Sequence, residues 1–398
     1  MCEIMDIERN DGVSDTKVTE YILRHLWQYS QTYSIYNYID DEDLEDRLPI
    51  WYVMDELGCR IQHSDHPNVR VVPFYYLTGK ITYSLLFPVE HINAQEEITR
   101  DYVAGSLYHR ADWREFYLLP WIHKDFSEGS CHSAITDAVF SASRISDSMP
   151  DMILPTRSMG SNECRKVFSE SQKVREMLKH PAFQFVDSEE DADVFWYNTP
   201  FKDFNRLLKH NPNVLINQFP FEHVLTVKDL LAALIKSHYS QSQVDPATLE
   251  MRPSWLCTTY SLEAELPQFV SYFQQRAKKD LDNHWIIKPF NLSHSMDTYI
   301  TDEIGQIIRL MDSGPKVACK YIEDPVLFYR DDLGSWVKFD MGFIVLLKSV
   351  EPLTLYLYDR FLMHFALKSF DLKHCDDVEK HFTVFNYLKE KKVKQVII

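Results

Sequence analysis

The chain has 398 residues, which is too long for one ordinary hydrophobic core and predicts two or three domains. Its hydrophobic content of 45% and aromatic content of 14% exclude a disordered chain, and its 10 glycines disfavour a fibrous or repeat design. The net charge of −17 disfavours direct contact with nucleic acid or with an anionic membrane surface, unless a local basic patch is present.

Residues 1–145 are predicted to form a strand-rich domain that begins with a helix. Apolar residues recur at helical spacing over residues 14–30, behind a cap at Ser14 or Asp15. Three strands are predicted at LPIWYVMDELG, VRVVPFYYL and ITYSLLF, and the last two form a hairpin whose turn contains Gly79. The strand-rich stretch ends near FYLLPW, residues 116–121.

A linker is predicted at residues 146–162, within a stretch rich in Ser, Met and Pro, and a second domain at residues 163–398. The first half of that domain alternates helices and strands, which predicts an α/β unit with a parallel sheet. Helices are predicted at ECRKVFSESQKVREMLK, FKDFNRLLKH and TVKDLLAALIKSH, the last one capped by Thr226, and strands at FQFVD, DADVFWYN and NVLINQF.

The second half of this domain is predicted to be richer in strands. Helices are expected at LPQFVSYFQQRAKKDL and EIGQIIRLMDS, and strands at HWIIKP, VACKYIE, PVLFYR, WVKFDMGFIVLLKSV and TLYLYDRFLMHFA. Asp331–Gly334 forms the hairpin turn between the third and fourth of these strands.

Three features of this half indicate a candidate anion site. Lys288 ends a buried strand, where its ammonium group could neutralise phosphate oxygens, although a surface lysine at a strand end is the simpler interpretation. The KYIE segment is an apolar strand edge whose backbone groups could meet a nucleotide base. Lys338 and Asp340 lie two residues apart on one strand face, as a phosphate-binding pair or as an exposed ion pair.

From about residue 160 onward the chain resembles the tubulin-tyrosine-ligase-like family, whose members have an ATP-grasp fold. The resemblance is carried by DADVFWYN, INQFPFEHVLTVKDLL, HWIIKPFNLSHSMDTYIT, ACKYIEDPVLFY, VKFDMGFIVLL and KHFTVFNY. The first 145 residues, with WYVMDELGCRIQHSD and FYLLPW, resemble the SET-like domain that precedes the ligase domain in one branch of the family. The resemblance implies an α+β chain, with a β-rich SET-like domain followed by an α/β ATP-grasp domain.

The resemblance also implies an ATP site. Lys288 matches the lysine that faces the phosphates, and Lys338 and Asp340 match the pair near the ribose and the substrate. The hinge beside the adenine matches Lys320, Tyr321, Ile322 and Glu323.

Three departures from active members bear on catalysis. Active members have an Arg-Gly-x-Gly loop after the lysine strand, whereas residues 289–297 contain neither residue type, and Gly342 stands where active members have an arginine. The magnesium ligands of the family's late strands do not appear before the end at NYLKEKKVKQVII, so we expect a truncated ligase domain without a magnesium site.

We therefore expect an inactive or impaired member that retains ATP binding and regulates tubulin or microtubules through protein contacts. The alternative is an active ligase that adds an amino acid to tubulin or to another protein. Histone or chromatin contact through the SET-like part is a further expectation. Methyl transfer ranks far behind, because the Asn-His-Ser-Cys segment of SET methyltransferases is absent.

The cysteine pattern and the absence of targeting segments predict the compartment. Seven scattered cysteines without a C-x-x-C pair fit reduced thiols, and no signal peptide or apolar run of 18 residues is present. We expect a soluble protein of the cytoplasm, with the nucleus as a second compartment and without membrane contact.

Overall fold

The computed structural model describes residues 1–7, 14–33, 50–79, 81–104, 110–132, 147–148, 164–210, 213–239, 245–251, 253–292, 295–383 and 396–397. The chain forms two compact units, Met1–Ser133 with Gln241–Ile398 and, separately, Ala134–Ser240. The predicted domains, residues 1–145 and 163–398, are contiguous in the sequence, whereas the two units are defined by packing. The predicted domain boundaries therefore stay a prediction. The predicted linker lies outside the described residues except for Asp147 and Ser148.

The N-terminal part of the first unit contains short helices and, among its described residues, three strand pairings. Its helices are α1 (Asp15–His25), α2 (Glu56–Arg60) and α3 (Arg114–Tyr117). Its strands are β1 (Ser30–Tyr33), β2 (Ile50–Val53), β3 (Gln62–His63), β4 (Val69–Tyr76), β5 (Ile81–Pro88) and β6 (Thr99–Arg100). β1 pairs with β2 and β4 with β5, both antiparallel, and β3 pairs with β6 in parallel.

Local polar chemistry explains which predictions hold in this part. The Ser14 hydroxyl accepts a hydrogen bond from the Lys17 backbone N–H and caps α1 as predicted, and the hairpin around Gly79 is confirmed. The strand predicted over LPIWYVMDELG is wrong after Val53, because the Asp55 carboxylate accepts from the Gly58 N–H at 2.6 Å and starts α2. FYLLPW begins inside helix α3 and does not extend the strands.

The second unit confirms the predicted parallel sheet. Its strands are β7 (Arg165–Ser169), β8 (Phe183–Phe185), β9 (Val194–Trp196) and β10 (Leu215–Ile216), in the spatial order β10-β9-β7-β8. All three pairings are parallel. Its helices are α4 (Gln172–Met177), α5 (Phe204–His210), α6 (His223–Thr226) and α7 (Lys228–His238).

Two predictions in this unit are wrong. The helix predicted from residue 163 begins only at Gln172, because the residues before it form β7, which takes strand partners on both sides. Thr226 is not a helix cap, since it ends α6, and α7 starts after Val227 without a side-chain cap.

The C-terminal part of the first unit contains a four-stranded antiparallel sheet and two long strands that pair antiparallel with each other. Its strands are β11 (Thr259–Ser261), β12 (Trp285–Pro289), β13 (Tyr299–Thr301), β14 (Lys316–Lys320), β15 (Phe328–Arg330), β16 (Ser335–Val337), β17 (Phe339–Val350), β18 (Leu353–Phe365) and β19 (Val396–Ile397). Its helices are α8 (Leu262–Lys278), α9 (Ile304–Leu310) and α10 (Val378–His381). The sheet has the order β11-β14-β12-β13, and β17-β18-β19 form another. The predicted strand around Lys338 is two strands, with Lys338 between β16 and β17.

One hydrophobic core serves both parts of the first unit. Helix α8 buries Leu266, Phe269 and Tyr272 against Trp285 of β12, and the same cluster includes Trp113 of the N-terminal part. Side chains of α8 also bond to the backbone of the N-terminal part. The Ser271 hydroxyl donates to the Gly129 carbonyl at 2.7 Å, and the Phe126 N–H donates to Gln274 Oε1 at 2.6 Å. The sheet that carries Lys288 therefore shares its core with described residues of the N-terminal part, among them Trp113 and Tyr117.

Gly305 lets helix α9 approach the N-terminal part closely. A Cβ atom at this position would lie 2.6 Å from Cη2 of Trp27 and 3.2 Å from Cα of Pro120. We expect Gly305→Ala to lower the free energy of unfolding by about 1–3 kcal/mol, because a ring and a backbone must move apart. Urea denaturation measures the change. Gly342→Ala is the control, since its Cβ would meet nothing closer than 3.9 Å, and equal costs at the two positions would contradict the prediction.

Candidate functional site

The strand that carries Lys288 alternates between a buried face and a partly open face. Trp285 and Ile287 on β12 have no exposed surface, whereas Ile286 and Lys288 lie on the opposite face and are half-buried. β12 lies between β13 and β14, which fixes its position in the sheet. Among the described residues, no carboxylate or other acceptor contacts the Lys288 amine.

Lys338 lies near enough to Lys288 for their charges to repel each other. Its Nζ donates to the hydroxyl of Tyr321 at 2.6 Å and lies 4.3 Å from the centre of the Tyr321 ring and 5.7 Å from that of Phe370. Burial, followed by the nearby charge of Lys288, lowers the pKa of Lys338 to about 8. The two lysines repel each other, and neither amine pairs with a carboxylate of the described residues, so an anion would stabilise both charges.

Lys320 has a different role from the other two lysines. Its Nζ donates to Asp282 Oδ2 at 2.6 Å, to Glu323 Oε2 at 2.9 Å and to the Tyr321 carbonyl at 2.8 Å. Burial alone would raise the pKa of Asp282, but hydrogen bonds from Lys320 and His284 outweigh it and hold the pKa below its usual range. Lys320 therefore fixes the hinge through these three acceptors.

The predicted hinge offers one open stretch of backbone. The Tyr321 N–H donates to the His284 carbonyl at 3.0 Å, and its carbonyl accepts from Lys320, so both of its backbone groups are used. The Ile322 side chain is 54% exposed, and its backbone makes no hydrogen bond with any residue that the structure describes. A base could therefore meet backbone groups at Ile322 and Glu323 rather than at Tyr321.

Asp340 points to partners other than Lys338. Its carboxylate accepts from His364 Nδ1 at 2.7 Å and from the Thr383 hydroxyl, and its side chain is 46% exposed. The structure thus brings Lys288, Lys338 and Tyr321 together, while Asp340 lies beside β18. An ion pair between Lys338 and Asp340, the alternative to a phosphate-binding pair, is not among the contacts of the described residues.

The loop after Lys288 is anchored at its C-terminal end. Asp297 forms a buried ion pair with Lys316, and their side chains are 5% and 1% exposed. Met296 is also buried. Ser295 and Asp297 have φ values of +59° and +48°, so the loop enters the left-handed region without a glycine, a conformation that Asp tolerates better than Ser does. Residues 293 and 294 lie outside the described part.

Steric crowding does not explain the glycine at position 342. The nearest atoms to a Cβ at this position belong to Leu362, at 3.9 and 4.0 Å, and the glycine does not have a positive φ. A Cβ atom therefore fits at this position, so neither backbone conformation nor close contact requires glycine here.

Several residues around the site were not identified from the sequence. Asp282, Asp297 and Lys316 form the ion pairs that fix the hinge and the loop, and His381 contacts the Tyr321 hydroxyl at 2.9 Å. Of these residues, the sequence pointed only to His381, which lies in the KHFTVFNY segment that contributes to the family resemblance. The contacts themselves join residues far apart in the sequence, so only the tertiary structure identifies them.

The described residues contain no group of three or more His, Cys, Asp or Glu side chains arranged to hold a metal ion. They also contain no helix that combines the length and the apolar character needed to cross a bilayer.

Comparison with known proteins gives the same family for both parts of the chain. A model of the tubulin-tyrosine ligase family matches residues 206–396, and a model of the tubulin tyrosine ligase SET-like domain matches residues 1–125. The chain is similar to tubulin–tyrosine ligase-like protein 12 of Mus musculus, with 42% identity over 401 residues. The same-named proteins of Homo sapiens and Caenorhabditis elegans are 40% and 39% identical over 398 and 401 residues.

These alignments cover 97–100% of this chain but only 58–60% of each relative, so the chain spans about three fifths of the length of the curated relatives it matches. The predicted α+β class, with a SET-like domain followed by a ligase-like domain, is confirmed. Because the two models describe one family and together match most of the residues, the chain belongs to the tubulin-tyrosine ligase family.

Proposed function

We propose that this chain binds a nucleoside triphosphate but has lost most or all of the ligase reaction, and that it regulates tubulin or microtubules through protein contacts. The proposal rests chiefly on the pairing of Lys288 with Lys338. A half-buried lysine whose pKa is depressed to about 8 by burial and by a second lysine is costly for an empty protein. Phosphate oxygens between the two amines would remove that cost.

The hinge supports a nucleotide rather than a free phosphate. Ile322 and Glu323 come after Tyr321, which follows β14, and they carry the exposed apolar side chain and the open backbone that a purine requires. Lys320, held by Asp282 and Glu323, keeps this segment in place without adding a free charge. ATP is therefore the ligand that we propose.

The loop after Lys288 supports impaired catalysis. Phosphoryl transfer depends on groups positioned around the transferred phosphate, and backbone N–H groups of glycine-rich loops commonly supply them. Here the loop lacks glycine, and its end is held by the Asp297–Lys316 pair. Gly342 adds no positive charge at the position where active relatives carry arginine.

ATP binding is tested by thermal unfolding with and without Mg²⁺. At an ATP concentration ten times its Kd, we expect the melting temperature to rise by about 2 °C, because ligand binding to the folded state adds about 1.4 kcal/mol. Lys288→Ala and Lys338→Ala should each remove most of the rise. Lys348→Ala is the matched control, since this exposed lysine also lies over a tyrosine ring, at 5.6 Å from Tyr356. No rise at millimolar ATP would remove the nucleotide from the proposal.

Ligase activity and partner binding are tested separately on the same protein. We expect no attachment of labelled tyrosine, glutamate or glycine to tubulin in the presence of Mg-ATP, and attachment would establish the active-ligase alternative. The tubulin partner is proposed because the relatives are named for tubulin. Co-sedimentation with microtubules should retain the protein in the pellet, and its full recovery in the supernatant would contradict this partner.

A further inference from the structure

A chain of hydrogen bonds runs from Lys338 into the protein. Lys338 Nζ lies 2.6 Å from the Tyr321 hydroxyl, which lies 2.9 Å from His381 Nδ1. His381 Nε2 lies 3.0 Å from the carbonyl oxygen of His374. Tyr321 and His381 are only 4% and 3% exposed, so water does not replace these contacts.

The His374 carbonyl fixes which atom donates in each of these hydrogen bonds. A carbonyl oxygen only accepts, so His381 Nε2 carries a hydrogen and donates to it. In a neutral imidazole Nδ1 is then an acceptor, and the Tyr321 hydroxyl donates to it. The lone pairs of the Tyr321 oxygen are left for the Lys338 ammonium group, which has two further hydrogens for a ligand.

Burial and the charges near His381 favour this neutral state. Burial, together with the positive charges of Lys338 and Lys380, lowers the pKa of His381 to about 4, against an opposing effect of Asp371 and of the His374 carbonyl. Burial and the Cys375 thiol raise the pKa of Tyr321, so its hydroxyl keeps its proton. Phe370 packs edge-on against His381, with ring centres 5.8 Å apart.

We propose that Tyr321 and His381 are positioning residues: His381 orients the Tyr321 hydroxyl, whose oxygen holds the Lys338 ammonium group towards an anion shared with Lys288. This inference rests on the proposed nucleotide site and extends it by assigning side-chain roles to a hinge residue and to a histidine behind it. The hydrogen bond also favours the charged form of Lys338, because an acceptor stabilises an ammonium group more than a neutral amine.

The pH dependence of binding follows from the groups that face Lys338. Lys288 opposes its charge from β12, Tyr321 supports it, and His381 is neutral behind Tyr321. Lys338 loses its proton as the pH rises through about 8, so ATP affinity should fall over that range.

The test uses the whole chain and reads Lys338 directly. The rate of acetylation of Lys338 by acetic anhydride, followed by mass spectrometry without nucleotide, gives the pH midpoint of its amine. Tyr321→Phe keeps the ring under Lys338 and removes only the hydroxyl, and His381→Leu removes the group that orients it. We expect both variants to lower the midpoint by about 0.5–1 pH unit and ATP affinity about five- to tenfold at pH 7.

The double variant should be no weaker than either single variant, because the two residues act through one hydrogen bond. Tyr329→Phe is the matched control, since this tyrosine is exposed and packs against Trp336. An unchanged midpoint in both single variants would overturn the positioning roles, and so would a shifted midpoint with unchanged affinity. If the wild-type protein binds no ATP, the nucleotide proposal is overturned instead. The pH midpoint of Lys338 acetylation in the variants would then still show whether Tyr321 and His381 act on the Lys338 amine.

Discussion

Asp297→Asn is expected to lower the free energy of unfolding by about 3 kcal/mol, because it leaves the Lys316 ammonium group buried without its counter-charge. Burial raises the pKa of Asp297 and lowers that of Lys316, so each charge persists only beside the other. Asparagine keeps the shape of the side chain and tolerates the φ of +48°, which alanine would not. Urea denaturation measures the effect.

Two comparisons separate this pair from an ordinary ion pair. Asp297→Asn with Lys316→Met should recover most of the loss, because removing both charges also removes the cost of burying them. Asp112→Asn disrupts the exposed Arg110–Asp112 pair and should cost less than about 1 kcal/mol. If Asp297→Asn costs no more than this control, the ion pair does not anchor the loop after Lys288.

Arg309→Met is expected to cost about 3–5 kcal/mol, because the guanidinium group of Arg309 joins the two parts of the first unit from a buried position. It donates to the Ser30 carbonyl at 2.6 Å, pairs with Asp312 at 2.5 Å and lies 5.1 Å from the centre of the Trp121 ring. Methionine fills similar volume but leaves the buried carboxylate and carbonyl without this cation. The loss is measured by chemical denaturation.

Arg24→Met provides the matched control for Arg309. Arg24 also connects the N-terminal part to the region of α9, through Glu303 at 3.1 Å, but its side chain is 61% exposed. Its loss should cost less than about 1 kcal/mol, since water replaces an exposed contact. Similar costs for the two variants would show that burial of Arg309 does not join the two parts energetically.

The pattern of the sequence predicted elements where local chemistry or periodicity is strong. The β4–β5 hairpin follows from two strand-like runs around Gly79, and the parallel sheet of the second unit follows from alternating helices and strands. Predictions failed where a local cap or a sheet neighbour overrode the pattern. Asp55 starts a helix inside a predicted strand, and Arg165–Ser169 became a strand because β8 and β9 pair with it.

The candidate site divides in the same way. Lys288 could be predicted from an apolar run that ends in a lysine, and Lys338 was identified from its spacing of two residues to Asp340. The family resemblance assigned the hinge beside them. The sequence could not show that Lys320 is held by Asp282, since those residues are 38 positions apart. Nor could it show that Asp340 contacts His364 and Thr383 instead of Lys338.

By itself, the sequence determined the family, the α+β class and the identity of the two lysines, because these depend on residue types and on short-range order. The tertiary structure decided which charges are neutralised and that Tyr321 lies between Lys338 and His381. It also decided that described residues of the N-terminal part share a core with the sheet of Lys288. Burial and the approach of residues distant in the chain set those properties, and neither is encoded in a local pattern.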